Sequence, residues 1–152
     1  MMGKFLVVLI LVCAVIGGGL MYYLQVYAFY DPLPDTTVIR VTRTDGTLQP
    51  LSIADFEGID ADSSPLRMRA CIQLADPSEL AQAVPAVKPE PLVAPGWFSC
   101  FDAAMIGEAL KSGEATAYLS QHEILRGVDR VIAAFPDGRA FVWHQLNGTL
   151  EK

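Results

Sequence analysis

The chain has 152 residues, with 17 acidic and 11 basic side chains, a formal charge of −6 and a 52% apolar composition. That length holds one small domain rather than two. Lys4 is the only charged side chain before Asp31, so residues 31–152 carry the other 10 basic groups and all 17 acidic ones, a net −7. A domain of that sign repels phosphate backbones, which argues against nucleic acid as a partner.

Residues 5–24, FLVVLILVCAVIGGGLMYYL, run without a charge, and about 20 residues of helix match the roughly 30 Å hydrocarbon core of a bilayer. The stretch reads as a transmembrane helix within an anchor at residues 1–30, with the lipid bilayer as its first partner. Tyr22, Tyr23, Tyr27, Phe29 and Tyr30 follow as an aromatic belt suited to the headgroup region. Lys4 precedes the span, whereas Asp31 and Asp35 open the downstream flank, so the positive-inside bias predicts a cytoplasmic N-terminus and an exported domain at residues 31–152. Two alternatives compete: burial in a soluble core, and secretory cleavage after Val26-x-Ala28 that frees the chain at Phe29. Lipoprotein processing at Cys13 fits less well, because Val12 is too bulky for the position before a lipidated cysteine. Cys13 and Gly17, like Ala14 and Gly18, stand four residues apart and form a strip of small side chains that admits another helix, either a second copy or a larger membrane protein.

Beyond the anchor, TTVIRVTRTDGTLQPLSI alternates like two strands joined at Asp45-Gly46. The polar stretch DFEGIDADSSP reads as irregular, and residues 66–74 as a third strand with Leu66, Met68, Ala70 and Ile72 on one face. Asp76-Pro77-Ser78-Glu79 signals a short helix to about residue 84. Pro85, Pro89, Pro91 and Pro95 then predict an ordered, extended strap. Ser99 and Asp102 form the expected capping pair of a second helix that stops at Gly113, with Phe101, Met105, Ile106, Ala109 and Leu110 as its apolar stripe. Strands are expected at residues 115–119, 129–135 and 140–146, the last two joined by Pro136-Asp137-Gly138-Arg139. The fold class is therefore α+β: an N-terminal transmembrane helix, then an antiparallel sheet of five or six strands with two helices.

Candidate chemistry is sparse. With Cys13 in the span, Cys71 and Cys100 are the remaining cysteines, and an oxidising compartment joins them as a structural disulfide; a redox-active pair is the alternative. Asp60-x-Asp62-x-Ser64 begins like a calcium loop, but Pro65 stands where the turn glycine belongs and Cys71 where the closing glutamate belongs. His122 and His144 lack the further ligands of a zinc site and the paired nucleophile of a catalytic one, so each is expected at a strand end bonded to backbone. No catalytic residue, metal ligand or cofactor is assigned. Trp97, Phe98, Trp143 and His144 are the candidate interaction residues, as core or as a protein-binding face.

YYLQVYAFY at 22–30, IDADSSPLRMRAC at 59–71, PLVAPGWFSCFDA at 91–103 and GVDRVIAAFPDGRAFVWHQLN at 127–147 together resemble an uncharacterised family of small single-span, membrane-anchored proteins of Rhodobacter-like alphaproteobacteria. The resemblance spans most of the chain and implies the bacterial inner membrane, with the domain in the periplasm, but no established activity. Members are sometimes labelled histidine kinase. This sequence contradicts that label, having neither a phosphoacceptor-histidine helix pair nor nucleotide-binding glycine boxes. The expected function is a non-catalytic accessory or assembly subunit of a larger membrane complex. A periplasmic sensing module with a pocket of Trp97, Trp143 and His144, or a thiol-redox factor, are the alternatives.

Overall fold

An uninterrupted apolar segment offers its backbone no side-chain partners, so helix is the form that satisfies every N–H and C=O internally. The computed structural model describes residues 2–151, with side chains through residue 150. It has helix α1 over Met2–Tyr23 and a π-helical turn at Leu24–Ala28. Together they make one 27-residue helix, long and apolar enough to cross a membrane. No α1 side chain is buried. The wider π turn sets Tyr27 against both preceding rings, stacked on Tyr23 at 6.0 Å and edge-on to Tyr22 at 6.3 Å. Cys13 and Ala14 are exposed, and no heavy atom lies within 4 Å of where a Cβ would stand on Gly17 or Gly18.

From Asp31 onward the chain forms a separate compact unit. Its elements are β1 (Asp31–Pro32), β2 (Arg40–Thr42), β3 (Leu48–Pro50), β4 (Ile53–Asp60), β5 (Arg69–Leu74), α2 (Ala103–Ser112), β6 (Thr116–Leu125), β7 (Val128–Ala134) and β8 (Arg139–Leu146). Six strands make one antiparallel sheet in the order β1-β4-β5-β8-β7-β6, and β2 and β3 pair as a separate two-stranded ribbon. The domain is α+β with an antiparallel sheet, as the patterning implies, and among the described residues it has one α-helix where two helices are expected.

Alternation on the central strands sorts side chains into two layers. On the ribbon side, Met68, Ala70, Ile72 and Leu74 of the β5 segment join Ile132, Ala140 and Val142, and the ribbon covers them with Ile39, Val41 and Leu51. On the other side, rings meet edge to face: Phe101 against Phe141 at 6.0 Å and Trp143 at 6.4 Å, and Phe135 against Phe141 at 5.7 Å. Helix α2 buries Ile106 and Ala109. Gly113, at φ 80°, supplies the left-handed residue that stops α2. Gly138, at φ 87°, turns β7 into β8 so closely that a Cβ there would sit 2.5 Å from the Gln73 amide.

Several elements differ from expectation. The stretch read as irregular, residues 55–65, holds most of β4, an eight-residue strand over Ile53–Asp60. Its polarity reflects its position near the sheet edge, where Asp55 and Glu57 are exposed while Gly58 and Ile59 are buried. The helix expected over residues 76–84 is a single 3-10 turn, Pro77–Leu80, capped by the Asp76 carboxylate. Residues 82–84 are taken up by pairing with the ribbon: Thr44 N–H donates to the Gln82 carbonyl, and Val84 N–H to the Thr42 carbonyl. Asp102 alone caps α2, its carboxylate accepting the N–H groups of Ala104 and Met105, with no such role for Ser99. Strand β6 runs to Leu125 because bulges, seen as register shifts at Leu119/Gln121 and Gln121/Leu125, break the alternation that a strand pattern requires. The ribbon strands, expected as members of the main sheet, form a layer of their own.

Candidate functional site

Residues 85–100 cross the ring-bearing face of the sheet, and their prolines leave them without a ladder of their own, so their backbone groups need partners from elsewhere. Arg69, buried on β5, supplies them: Nε donates to the Leu92 carbonyl at 2.8 Å and Nη2 to the Val93 carbonyl at 3.2 Å. Its Nη1 holds the carbonyls of Leu66 and Met68, and its guanidinium lies 5.7 Å from the Phe101 ring centre. Gln145, buried on β8, clamps the other end: Oε1 accepts the Glu90 N–H at 2.9 Å and the Trp143 indole N–H at 3.0 Å, and Nε2 donates to the Lys88 carbonyl at 3.1 Å. A disulfide between Cys71 and Cys100, whose Cα atoms are 6.3 Å apart, pins the far end of the strap beside α2. Closing a loop of 29 residues removes enough unfolded-state entropy to contribute about 3 to 4 kcal/mol. Replacing both cysteines with serine is therefore expected to lower unfolding free energy by about that amount in urea titrations. The helix and sheet signals should persist, because Arg69 and Gln145 still hold the strap.

Fixed in this way, the strap keeps apolar side chains in water: Val87 is 82% exposed, Val93 81% and Trp97 41%. Phe98 turns inward beneath the Trp97 ring, with centroids 6.2 Å apart, and so belongs to the core rather than to an interaction face. Trp143 and His144 also leave the interaction set, at 0% and 4% exposure. As neighbours on a strand they point to opposite faces of the sheet, so no pocket can be lined by both together with Trp97.

His144 sits on the ribbon face between Pro65 and Arg130. Its Nδ1 lies 2.7 Å from the Pro65 carbonyl, and its Nε2 lies 3.0 Å from the Arg130 Nε that donates to it. One nitrogen faces an acceptor and the other a donor, which selects the neutral Nδ1-H tautomer. Burial, reinforced by the charges of Arg130 and Arg69 against the bond to Pro65, lowers the pKa of His144 from 6.5 to about 4. Burial also raises Asp60 against the Ala61 N–H bond and the charge of Arg130, and it lowers Arg130. A histidine with a depressed folded-state pKa binds its proton more readily unfolded, so stability falls as pH drops from 6.5 to about 4 and levels off below. The full loss is about 3 kcal/mol. Asp60 takes its proton more readily folded, which offsets part of that loss above 3.8. Urea midpoints measured across this range should show the decline in the native protein, and a His144→Gln variant should lack most of it.

His122 behaves differently. Rather than bonding to backbone, its Nδ1 lies 3.0 Å from the carboxylate of Asp129 on β7. The same carboxylate oxygen accepts the Glu123 N–H at 2.8 Å and the Asn147 amide at 3.0 Å. Glu123, at φ 43°, falls in the register shift between Gln121 and Leu125 of β6, and such an irregularity re-aims the side chains within it. His122 lines an open cleft of about 650 Å³ between residues 84–90 of the strap, strands β6 to β8 and the turn at residues 147–149. Lys88, at φ 48°, also lines it, and Glu123, at φ 43°, adjoins the lining residue His122 in sequence. The residue patterning missed Asp129, Arg69 and Gln145, of which Gln145 carried one signal: a polar residue in alternation with the apolar Phe141 and Trp143 before it.

Among the described residues, no group of three or more His, Cys, Asp or Glu is placed to hold a metal ion. Asp60 ends β4 with its carboxylate turned onto the Ala61 N–H. Residues 38–152 match the model of a family of unknown function, DUF6446. No curated protein and no solved structure matches the chain.

Proposed function

The chain belongs to DUF6446, a family of unknown function, and from that premise we propose that it is a non-catalytic, single-pass protein of the bacterial inner membrane. On this reading its N-terminus is cytoplasmic and its acidic domain periplasmic, and it serves as an accessory or assembly subunit of a larger membrane complex. One observation carries the reading: the domain holds Val87, Val93 and Trp97 in water on a strap tied down by Arg69, Gln145 and the Cys71–Cys100 bond. Rigid, exposed apolar anchors lower the entropy cost of association and are what a partner protein buries. The helix Met2–Ala28 supports the choice of a membrane partner, because it restricts the search for that partner to one plane. Its open strip of Cys13, Ala14, Gly17 and Gly18 supports close approach by another helix. The disulfide supports an oxidising compartment for the domain.

The test is photo-crosslinking in cells from a reactive residue at position 93 or 97, followed by purification in mild detergent. One integral membrane protein should dominate the adducts, and a Val93→Asp, Trp97→Ala chain should lose that adduct while keeping its fold. Crosslinks to nothing but lipid or to soluble cytoplasmic proteins would sink the reading. The ligand-sensing alternative draws support from the cleft beside His122.

A further inference from the structure

We propose that the cleft between the strap and the ends of β6 to β8 binds a short apolar molecule ending in a single carboxylate, with His122 and Lys88 receiving the acid group. Size, wall chemistry and preorganisation agree on this. At about 650 Å³ the cleft falls in the range of small-molecule sites. Its walls include Val84, Val87, Leu119, Val131 and Leu146, which suit an aliphatic or aromatic body.

The polar groups are few and already oriented. Asp129 fixes His122 through Nδ1, leaving Nε2 as the ring atom with capacity for a ligand. The other groups around that carboxylate, the Glu123 N–H and the Asn147 amide, are turned onto it rather than outward. The Gln145 amide is likewise committed to Lys88, Glu90 and Trp143. With a proton taken up from solvent, Nε2–H donates to the ligand carboxylate while Nδ1–H keeps its bond to Asp129, and the Lys88 ammonium adds a second cation on the strap side. Glu90 and Asp129 also line the cleft, and because their repulsion grows with the charge of the ligand they favour a monocarboxylate over a dianion such as phosphate. Lys88, which lines the cleft, has left-handed backbone, the kind of strain that recurs at binding sites.

The experiment uses the full chain in detergent micelles with ring-labelled histidine, titrated with hexanoate or with hexanamide. The chain has two histidines, so His144, buried on the opposite face of the sheet, reports that the fold is intact and that changes are local. Hexanoate should shift the His122 ring signals saturably, with half-saturation below about 10 mM, and leave His144 unmoved. Hexanamide should bind at least about tenfold more weakly, because it cannot supply the charge. Calorimetry of His122→Gln and Lys88→Gln chains should show about tenfold and about threefold losses respectively. An absence of saturable shift, equal responses to acid and amide, or equal movement of both histidines would each overturn the proposal.

Discussion

The domain depends on the need to cover both faces of its central strands with too little helix. Strand β8 is buried from Ala140 through Gln145 and β5 is buried or half-buried throughout, so neither face there can be left to water. Six strands span a width of about 25 Å, whereas α2 has 10 residues and is about 15 Å long. The ring cluster of Phe101, Phe135, Phe141 and Trp143 therefore extends past what α2 shields, and the proline strap completes the cover. A strap without a ladder would leave carbonyls unpaired in contact with the core, which costs far more than making the bonds returns. Arg69 and Gln145, polar residues at core-facing positions, thus act as surrogate strand partners for the strap.

The same logic governs the sheet edges, where unpaired amides invite association with other chains. On the β6 side, Ala86 N–H donates to the Ala117 carbonyl and Leu119 N–H to the Val84 carbonyl, so the start of the strap closes that edge. On the β4 side, Leu33 N–H donates to the Gly58 carbonyl, and the Phe56 N–H is taken by the neighbouring Asp55 carboxylate. Pro32 in β1 and the charges of Asp55 and Glu57 further discourage pairing with a foreign strand. With these edge groups engaged, the apolar side chains on the strap and the lining of the cleft are among the surfaces the domain presents to solvent.

Legibility from the residues followed periodicity. The long apolar run, the Asp45-Gly46 hairpin, the helix ending at Gly113 and the β7–β8 hairpin at Gly138 each carried a local signal that tertiary context did not overturn. The Cys71–Cys100 bond was legible by elimination, once Cys13 was assigned to the apolar run. Local signals failed where long-range contacts decide. Residues 82–84 leave a helix that Asp76 and Pro77 start well because the ribbon takes up their backbone. Strand β4 is too polar to look like a strand because one flank is covered only over Ile59 and Asp60. Trp143 and His144 stayed open between core and interaction face because nothing nearby in sequence reveals that β8 is buried on both faces. The arrangement around Asp129 rests on bulges, which insert a residue and so hide the alternation that would mark His122.

Gln145 joins the two surfaces that the fold leaves available. Its amide fixes Lys88 and Glu90, while it also lines the cleft beside Asp129. Residues 84–90 form one wall of that cleft and continue directly into the segment that carries Val93 and Trp97. Lys88, with its left-handed backbone, stands at the junction. Displacing this wall would break the Gln145 bonds and expose the Trp143 indole N–H that shares Oε1, so the strap moves against a buried hydrogen-bond network rather than against water. Between Glu90, which bonds to Gln145, and Leu92, which Arg69 holds, lies only Pro91, too short a stretch to absorb motion at one end without passing it to the other. One side chain, Gln145, therefore helps hold both the wall of the cleft and the strap that carries the exposed apolar side chains.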